Sequence, residues 1–156
     1  MKNAAKYLFI LSLLTTIVYG CKKGDSTPAS IPDTTLPTIS ITKPTAGQAF
    51  VPGNTITFQA AFADNEKLAS YGITITKVIA SSVILKNVPV YEPWVFTKAS
   101  TSFSSGLKQA DINLDIPIPL LNDNSTSITT GKYNFKVTCL DGAGNKNETT
   151  IEININ

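Results

Sequence analysis

Residues 131–156 read GKYNFKVTCLDGAGNKNETTIEININ, and this stretch decides the fold class. Tyr133, Phe135, Val137 and Cys139 alternate with Asn134, Lys136 and Thr138. Ile151, Ile153 and Ile155 alternate with Glu152 and Asn154. A period of two puts every apolar side chain on one face of an extended chain, which is the signature of a half-buried strand. Between the two runs lies Asp141-Gly142-Ala143-Gly144-Asn145, whose glycines accept the positive φ of a tight reversal. The stretch therefore predicts an antiparallel hairpin with one dry and one wet face.

Working upstream, the same period recurs. Ile39 and Ile41 flank Ser40; Ile56, Phe58, Ala60 and Phe62 flank Thr57, Gln59 and Ala61. Tyr71, Ile73 and Ile75 flank Gly72 and Thr74, and Ile112, Leu114 and Ile116 flank Asn113 and Asp115. Turn-forming strings separate the runs: Pro44-Thr45-Ala46-Gly47, Val51-Pro52-Gly53-Asn54, Asp64-Asn65-Glu66 and Asn122-Asp123-Asn124. One buried face per strand calls for two sheets packed together. The expectation over residues 38–156 is an all-β, immunoglobulin-like antiparallel β-sandwich of about seven strands with Greek-key connections. A small barrel or jelly roll is the alternative. Between Ala80 and Gly106 the alternation loosens; Val83-Ile84-Leu85 and Val88-Pro89-Val90 are candidates for short strands there.

The N-terminal residues follow different rules. Residues 1–20 carry Lys2 and Lys6 ahead of the mostly apolar run YLFILSLLTTIVY, too short to be read as a spanning helix, and so read as a secretory signal. The run closes on Val18-Tyr19-Gly20-Cys21, which resembles the bacterial lipoprotein signal, where a small residue precedes a Cys that is lipidated and becomes the first residue. That resemblance implies acylation of Cys21 and anchorage to the membrane. Lys22 stands where an Asp would resemble an inner-membrane retention signal, so the resemblance implies the outer membrane, facing the periplasm or the exterior. Residues 22–37, with three prolines among Ser, Thr and Asp, predict an extended tether, giving a domain division of 1–20, 21–37 and 38–156.

The sequence contains no His and no Arg, which excludes Ser-His-Asp triads, His-ligated metal sites and bidentate guanidinium clamps. Thirteen Lys oppose eleven acids. Removing Lys2 and Lys6 with the signal balances the charge, so no nucleic-acid partner is expected.

The strings Ile39-Ser40-Ile41-Thr42-Lys43-Pro44, Phe62-Ala63-Asp64-Asn65-Glu66-Lys67-Leu68 and Leu140-Asp141-Gly142-Ala143-Gly144-Asn145 resemble bacterial Ig-like surface domains. So does Gly131-Lys132-Tyr133-Asn134-Phe135-Lys136-Val137. With the lipoprotein start, the chain resembles a small family of bacterial lipoproteins of unknown function. The resemblance implies a fold and an address but no activity. Some relatives carry His in the middle segment; this chain has none, so no His-dependent role transfers.

Two constellations are candidate sites. In an Ig-like sandwich the loops after the second and sixth strands share one pole. Asp64, Glu66, Asp141 and Asn145 would meet there, with Asp33 of the tether in reach, and hard oxygens of this kind suit Ca²⁺. The alternative is that Asp and Asn merely cap tight turns. The second constellation is aromatic: Tyr91, Trp94, Phe96 and Phe103 lie between prolines and a Ser/Thr run, a pattern that can stack on sugars or clamp peptides. The alternative places Trp94 in the core, as in Ig domains.

Three further residues are read structurally. Asp111 and Asp115 belong to a wet strand face rather than to a glycosidase pair. Cys139 reads as inward core filling without a base to activate it. Tyr133 takes the tyrosine-corner position, with Thr129 where the usual Asp would stand.

The expected function is non-enzymatic: a membrane-tethered, monomeric domain that binds a glycan, peptide or partner protein at the cell envelope, with no cofactor unless Ca²⁺. The alternatives are a structural spacer or assembly module, and a His-independent carboxylate hydrolase.

Overall fold

The computed structural model describes residues 31–79, 93–121 and 127–156. Cys21 and the signal lie outside these residues, as do Tyr91 and the two candidate strands at 83–85 and 88–90. The chain divides into a unit ending at Ile31 and a compact unit from Pro32 to Asn156, and it is the second that follows.

Eight strands are described: β1 (Thr38–Lys43), β2 (Ala49–Phe50), β3 (Thr55–Ala63), β4 (Leu68–Lys77), β5 (Phe96–Ser102), β6 (Gln109–Pro117), β7 (Gly131–Asp141) and β8 (Lys146–Ile155). They form a three-stranded sheet, β1-β3-β6, and a five-stranded sheet, β2-β8-β7-β4-β5. The chain crosses between sheets before and after β3 and on either side of β6, so β3 pairs with β6 and β4 with β7, which is Greek-key wiring. The fold is an immunoglobulin-like, all-β sandwich.

The expected seven strands become eight because β1 and β2 divide one N-terminal run. The chain leaves β3 at Lys43-Pro44, a cis peptide, and rejoins the other sheet beside β8. The β2–β8 pairing is parallel, the one departure from the expected antiparallel pattern among the described strands.

Alternation translates directly into burial. Strand β7 reads exposed–buried from Lys132 onward, with Tyr133, Phe135, Val137 and Cys139 fully buried. Opposite them stand Ile56, Phe58, Phe62 and Ile116 of the three-stranded sheet, and Phe58 and Phe135 meet with ring centroids 5.5 Å apart. Fully burying one such side chain contributes about 1.5–3 kcal/mol, so this layer dominates the stability of the domain. Asp111 and Asp115 are exposed, and Asp115 Oδ1 accepts a hydrogen bond from Thr57 Oγ1 across the β3–β6 ladder at 3.0 Å. They lie on the wet face of β6.

Tyr133 makes the corner contact despite lacking an Asp partner. Its hydroxyl donates to the backbone carbonyl of Thr129 at 2.5 Å. The acceptor is main chain, so the side chain at 129 does not decide whether the bond forms.

Candidate functional site

Each strand leading into the predicted pole ends on an Asp that organises the turn beyond it. At the end of β3, Asp64 Oδ1 accepts the N–H groups of Glu66 (2.9 Å) and Lys67 (2.7 Å). At the end of β7, Asp141 Oδ1 accepts those of Ala143 and Asn145, both at 2.8 Å. Such side-chain bonds compete with the ladder and reverse the chain, which is why both strands stop there. The loops then touch: Gly142 N–H donates to the Lys67 carbonyl at 2.9 Å. A Cβ at Gly142 would sit 1.9 Å from Lys67 Cε, so only glycine admits the lysine stem at this crossing.

The third strand of the pole is the N-terminal segment. Asp33 Oδ1 accepts Thr35 N–H (3.0 Å) and Asn65 Nδ2 (3.1 Å). The Thr35 amide, with Asn65 second, holds the Asp33 carboxyl below its ordinary range. Asn145 Nδ2 donates towards Asp33 O (3.0 Å), Thr35 O (3.3 Å) and Asp141 Oδ2 (2.7 Å), and Asn147 Nδ2 reaches Pro37 O at 2.8 Å. Residues 33–37 are therefore clasped to the domain. The sequence reading placed them at the end of an extended tether with Asp33 in reach of the pole, and the pole's amides hold this segment.

Carboxylate oxygens of Asp33, Asp64 and Asp141 all lie within 4.8 Å of one another. Asp141 is 2% exposed, and Asp64 Oδ2 is buried with no hydrogen-bond partner among the described residues. The ion pairs among the described residues join Lys132 to Glu152 and Lys136 and Lys146 to Glu148, leaving all three Asp aside. Lys108, the cation that reaches this end, donates instead to the Asn65 carbonyl at 2.7 Å.

Of the expected residues, Asp64 and Asp141 meet here, while Glu66 and Asn145 present other groups. Glu66 is exposed and contributes its N–H rather than its carboxylate, because the Asx turn takes the backbone and leaves the side chain outside. Asn145 faces the cluster with its amide nitrogen as a donor. Asp33 fills the third position. Beneath the pole, Cys139 is fully buried, and burial, then the charges of Asp64 and Asp141, pushes its thiol up to about 11. A thiol so placed is inert.

The aromatic constellation separates. Trp94 is 8% exposed, with ring centroids 6.2 Å from both Phe96 and Tyr133. It is core, not an open stacking platform. Phe103 lies elsewhere, against Phe62 and Tyr71 at 5.4 and 5.3 Å. Phe96 packs on the core edge through Trp94. Among the described residues, Trp94 packs against Tyr133 and Phe103 against Tyr71, with no ring contact between the two. What remains near Phe103 is a groove of about 360 Å³ where β5 faces β6, lined by Tyr71, Thr101, Phe103, Leu107 and Ile112.

Two packed sheets with Greek-key wiring define the class: an immunoglobulin-like β-sandwich module. Within that class, the chain belongs to the family described as Domain of unknown function (DUF4625), whose model matches residues 19–156. No curated protein matches it. Among solved structures, it is similar to the fibronectin(III)-like modules of CbhA from Clostridium thermocellum, at 15% identity and a TM-score of 0.42. That match covers 76% of this chain and 94% of the module. Spo0M, a sporulation control protein from Bacillus subtilis, matches at 13% identity and a TM-score of 0.42, over 77% of this chain and 48% of that one. A β-glucosidase from Listeria innocua matches at 10% identity and a TM-score of 0.44, over 75% of this chain and 16% of that one. The chain thus spans about half of Spo0M and about a sixth of the β-glucosidase.

Proposed function

We propose that the chain is a lipid-anchored structural module of the bacterial outer membrane, held through Cys21 and working without catalysis as a spacer or assembly domain. The observation that carries this reading is the clasp on residues 33–37 by Asn145 and Asn147. A tether that ends in fixed hydrogen bonds transmits position to the domain, whereas a free one transmits only reach. The buried Trp94 supports the same reading, because it withdraws the strongest stacking group from any ligand surface.

Binding of a glycan, peptide or partner protein is the second reading, and one observation favours it. The groove beside Phe103 combines an apolar wall with the hydroxyls of Thr101, Ser102 and Ser104, and its volume reaches the lower range of ligand sites. A Phe103→Ala variant that loses partners captured from envelope extracts would support this reading over the spacer.

The anchor is tested by labelling cells with a radioactive fatty acid. The wild type is expected to incorporate label and to fractionate with the outer membrane, because two or three acyl chains hold a protein there for long times. Cys21→Ser is expected to incorporate none and to appear in the soluble fraction. Unlabelled wild-type protein in the soluble fraction would overturn the reading.

A further inference from the structure

We propose that the acidic pole is a Ca²⁺ site formed by the carboxylates of Asp33, Asp64 and Asp141. Turn formation explains one oxygen of Asp64, since Oδ1 accepts the two N–H groups of its own turn. It does not explain the other. Asp64 Oδ2 is buried, has no hydrogen-bond partner among the described residues, and belongs to a residue whose carboxylate is grouped with two more. A buried carboxylate oxygen is normally satisfied by a donor or a cation. Among the described residues no lysine forms an ion pair with any of the three Asp, while Glu148 and Glu152 both have lysine partners.

The donor set selects the ion. All the charged ligands are carboxylates, which suits a hard cation and not zinc or copper. The oxygens lie within 4.8 Å of one another, close enough for one ion with Ca²⁺–O distances of about 2.4 Å to reach all three. Backbone carbonyls add to the oxygen supply: those of Asp33 and Thr35 both lie within 3.3 Å of Asn145 Nδ2. That nitrogen carries two hydrogens but faces three acceptors, so this corner of the pole has more acceptors than donors. Ca²⁺ accepts six to eight oxygens in irregular geometry, and water completes whatever the chain leaves open.

The three ligands come from three separate segments: the N-terminal arm, the turn after β3 and the turn after β7. An ion shared among them cross-links the arriving chain to both sheets' loops. Asp33 is twelve residues beyond Cys21, so in the anchored protein Ca²⁺ would stiffen the junction between tether and sandwich. That last consequence rests on the anchor reading; the metal site does not.

The test is thermal melting of the full chain, purified in detergent, in EDTA and in 5 mM free Ca²⁺ or Mg²⁺. Ca²⁺ is expected to raise the wild-type melting temperature by about 3 °C or more, as binding to the folded state alone requires at a dissociation constant of 1 mM or tighter. Mg²⁺ is expected to give less than half that rise, because it holds its own water and demands octahedral geometry. Asp64→Asn keeps an oxygen for the turn and removes one charge. In EDTA this variant is expected to melt at or above the wild type, because mutual repulsion among the carboxylates falls. In Ca²⁺ it is expected to melt below the wild type, with less than a third of its rise. A smaller wild-type rise, an equal rise in Asp64→Asn, or an equal response to Mg²⁺ would overturn the proposal. Cys21→Ser is run alongside: an intact Ca²⁺ response in a protein released from the membrane separates the metal site from the anchor.

Discussion

The acidic pole and the aromatic segment make opposite use of sequence proximity. Asp33, Asp64 and Asp141 are scattered along the chain, yet their carboxylates meet. Trp94, Phe96 and Phe103 are close in sequence, yet Trp94 stacks over Tyr133 and Phe103 over Tyr71. Topology gathers polar residues at loops, because the fold brings alternate strand ends to one pole. Burial disperses aromatic residues, because each ring goes to the nearest gap between the sheets. A cluster of aromatics in sequence is therefore a weak sign of a surface in a sandwich, while acids ending strands that finish at the same pole are a stronger sign of a shared site.

The largest expected effect breaks the aromatic half of this contrast. Trp94→Ala is expected to cost about 3–5 kcal/mol in denaturant unfolding, the cost of emptying a core site. A cost below about 1 kcal/mol would mean that Trp94 lies on a surface after all. At the pole, Asp141→Ala removes the acceptor of the Ala143 and Asn145 amides and of Asn145 Nδ2. It is expected to cost about 2 kcal/mol in EDTA, since three part-buried hydrogen bonds to a carboxylate would be lost. Wild-type stability in that variant would show that the turn does not depend on its Asp.

Tyr133→Phe probes the end of β7 away from the pole, where the ring packs on Trp94 and the hydroxyl meets the carbonyl of Thr129. It removes one hydrogen bond and keeps the ring, so about 1 kcal/mol is expected from equilibrium unfolding. No change would mean that the bond to main chain contributes nothing.

The smallest effect is a slope. The Cys139 thiol titrates near 11 in the folded protein and nearer its ordinary value when unfolded. The unfolded state therefore loses its proton first, and stability that is complete below about pH 8.5 falls as pH rises towards 11. Cys139→Ala is expected to flatten this decline, read as melting temperature against pH. An unaltered slope would place the titrating group elsewhere.

Most of the fold was legible because its dry face alternates with a wet one. Tyr133, Phe135, Val137 and Cys139 could be assigned inward by parity alone, and all are fully buried. Strand β5 escaped for the converse reason. It is an edge strand, its register against β4 shifts between Tyr71 and Ile73, and its sequence FTKASTS carries no clean alternation. The two residues of β2 are too short to show any period. At the pole, Asp64 and Asp141 were legible from turn chemistry and strand order. The direction of the Glu66 side chain was not legible, because a turn residue's sequence position does not say which way its side chain points. The clasp on residues 33–37 depends on Asn145 and Asn147, more than a hundred residues away, and no local pattern encodes it.

The claim that the pole, rather than the aromatic segment, answers a ligand is tested most directly by amide hydrogen exchange during a Ca²⁺ titration. Protection is expected to rise at Thr35, Glu66, Lys67, Ala143 and Asn145, whose N–H groups bond to the three Asp side chains, and to stay constant across Phe96–Ser102. Unchanged exchange at the pole, or a response confined to Phe96–Ser102, would contradict the account.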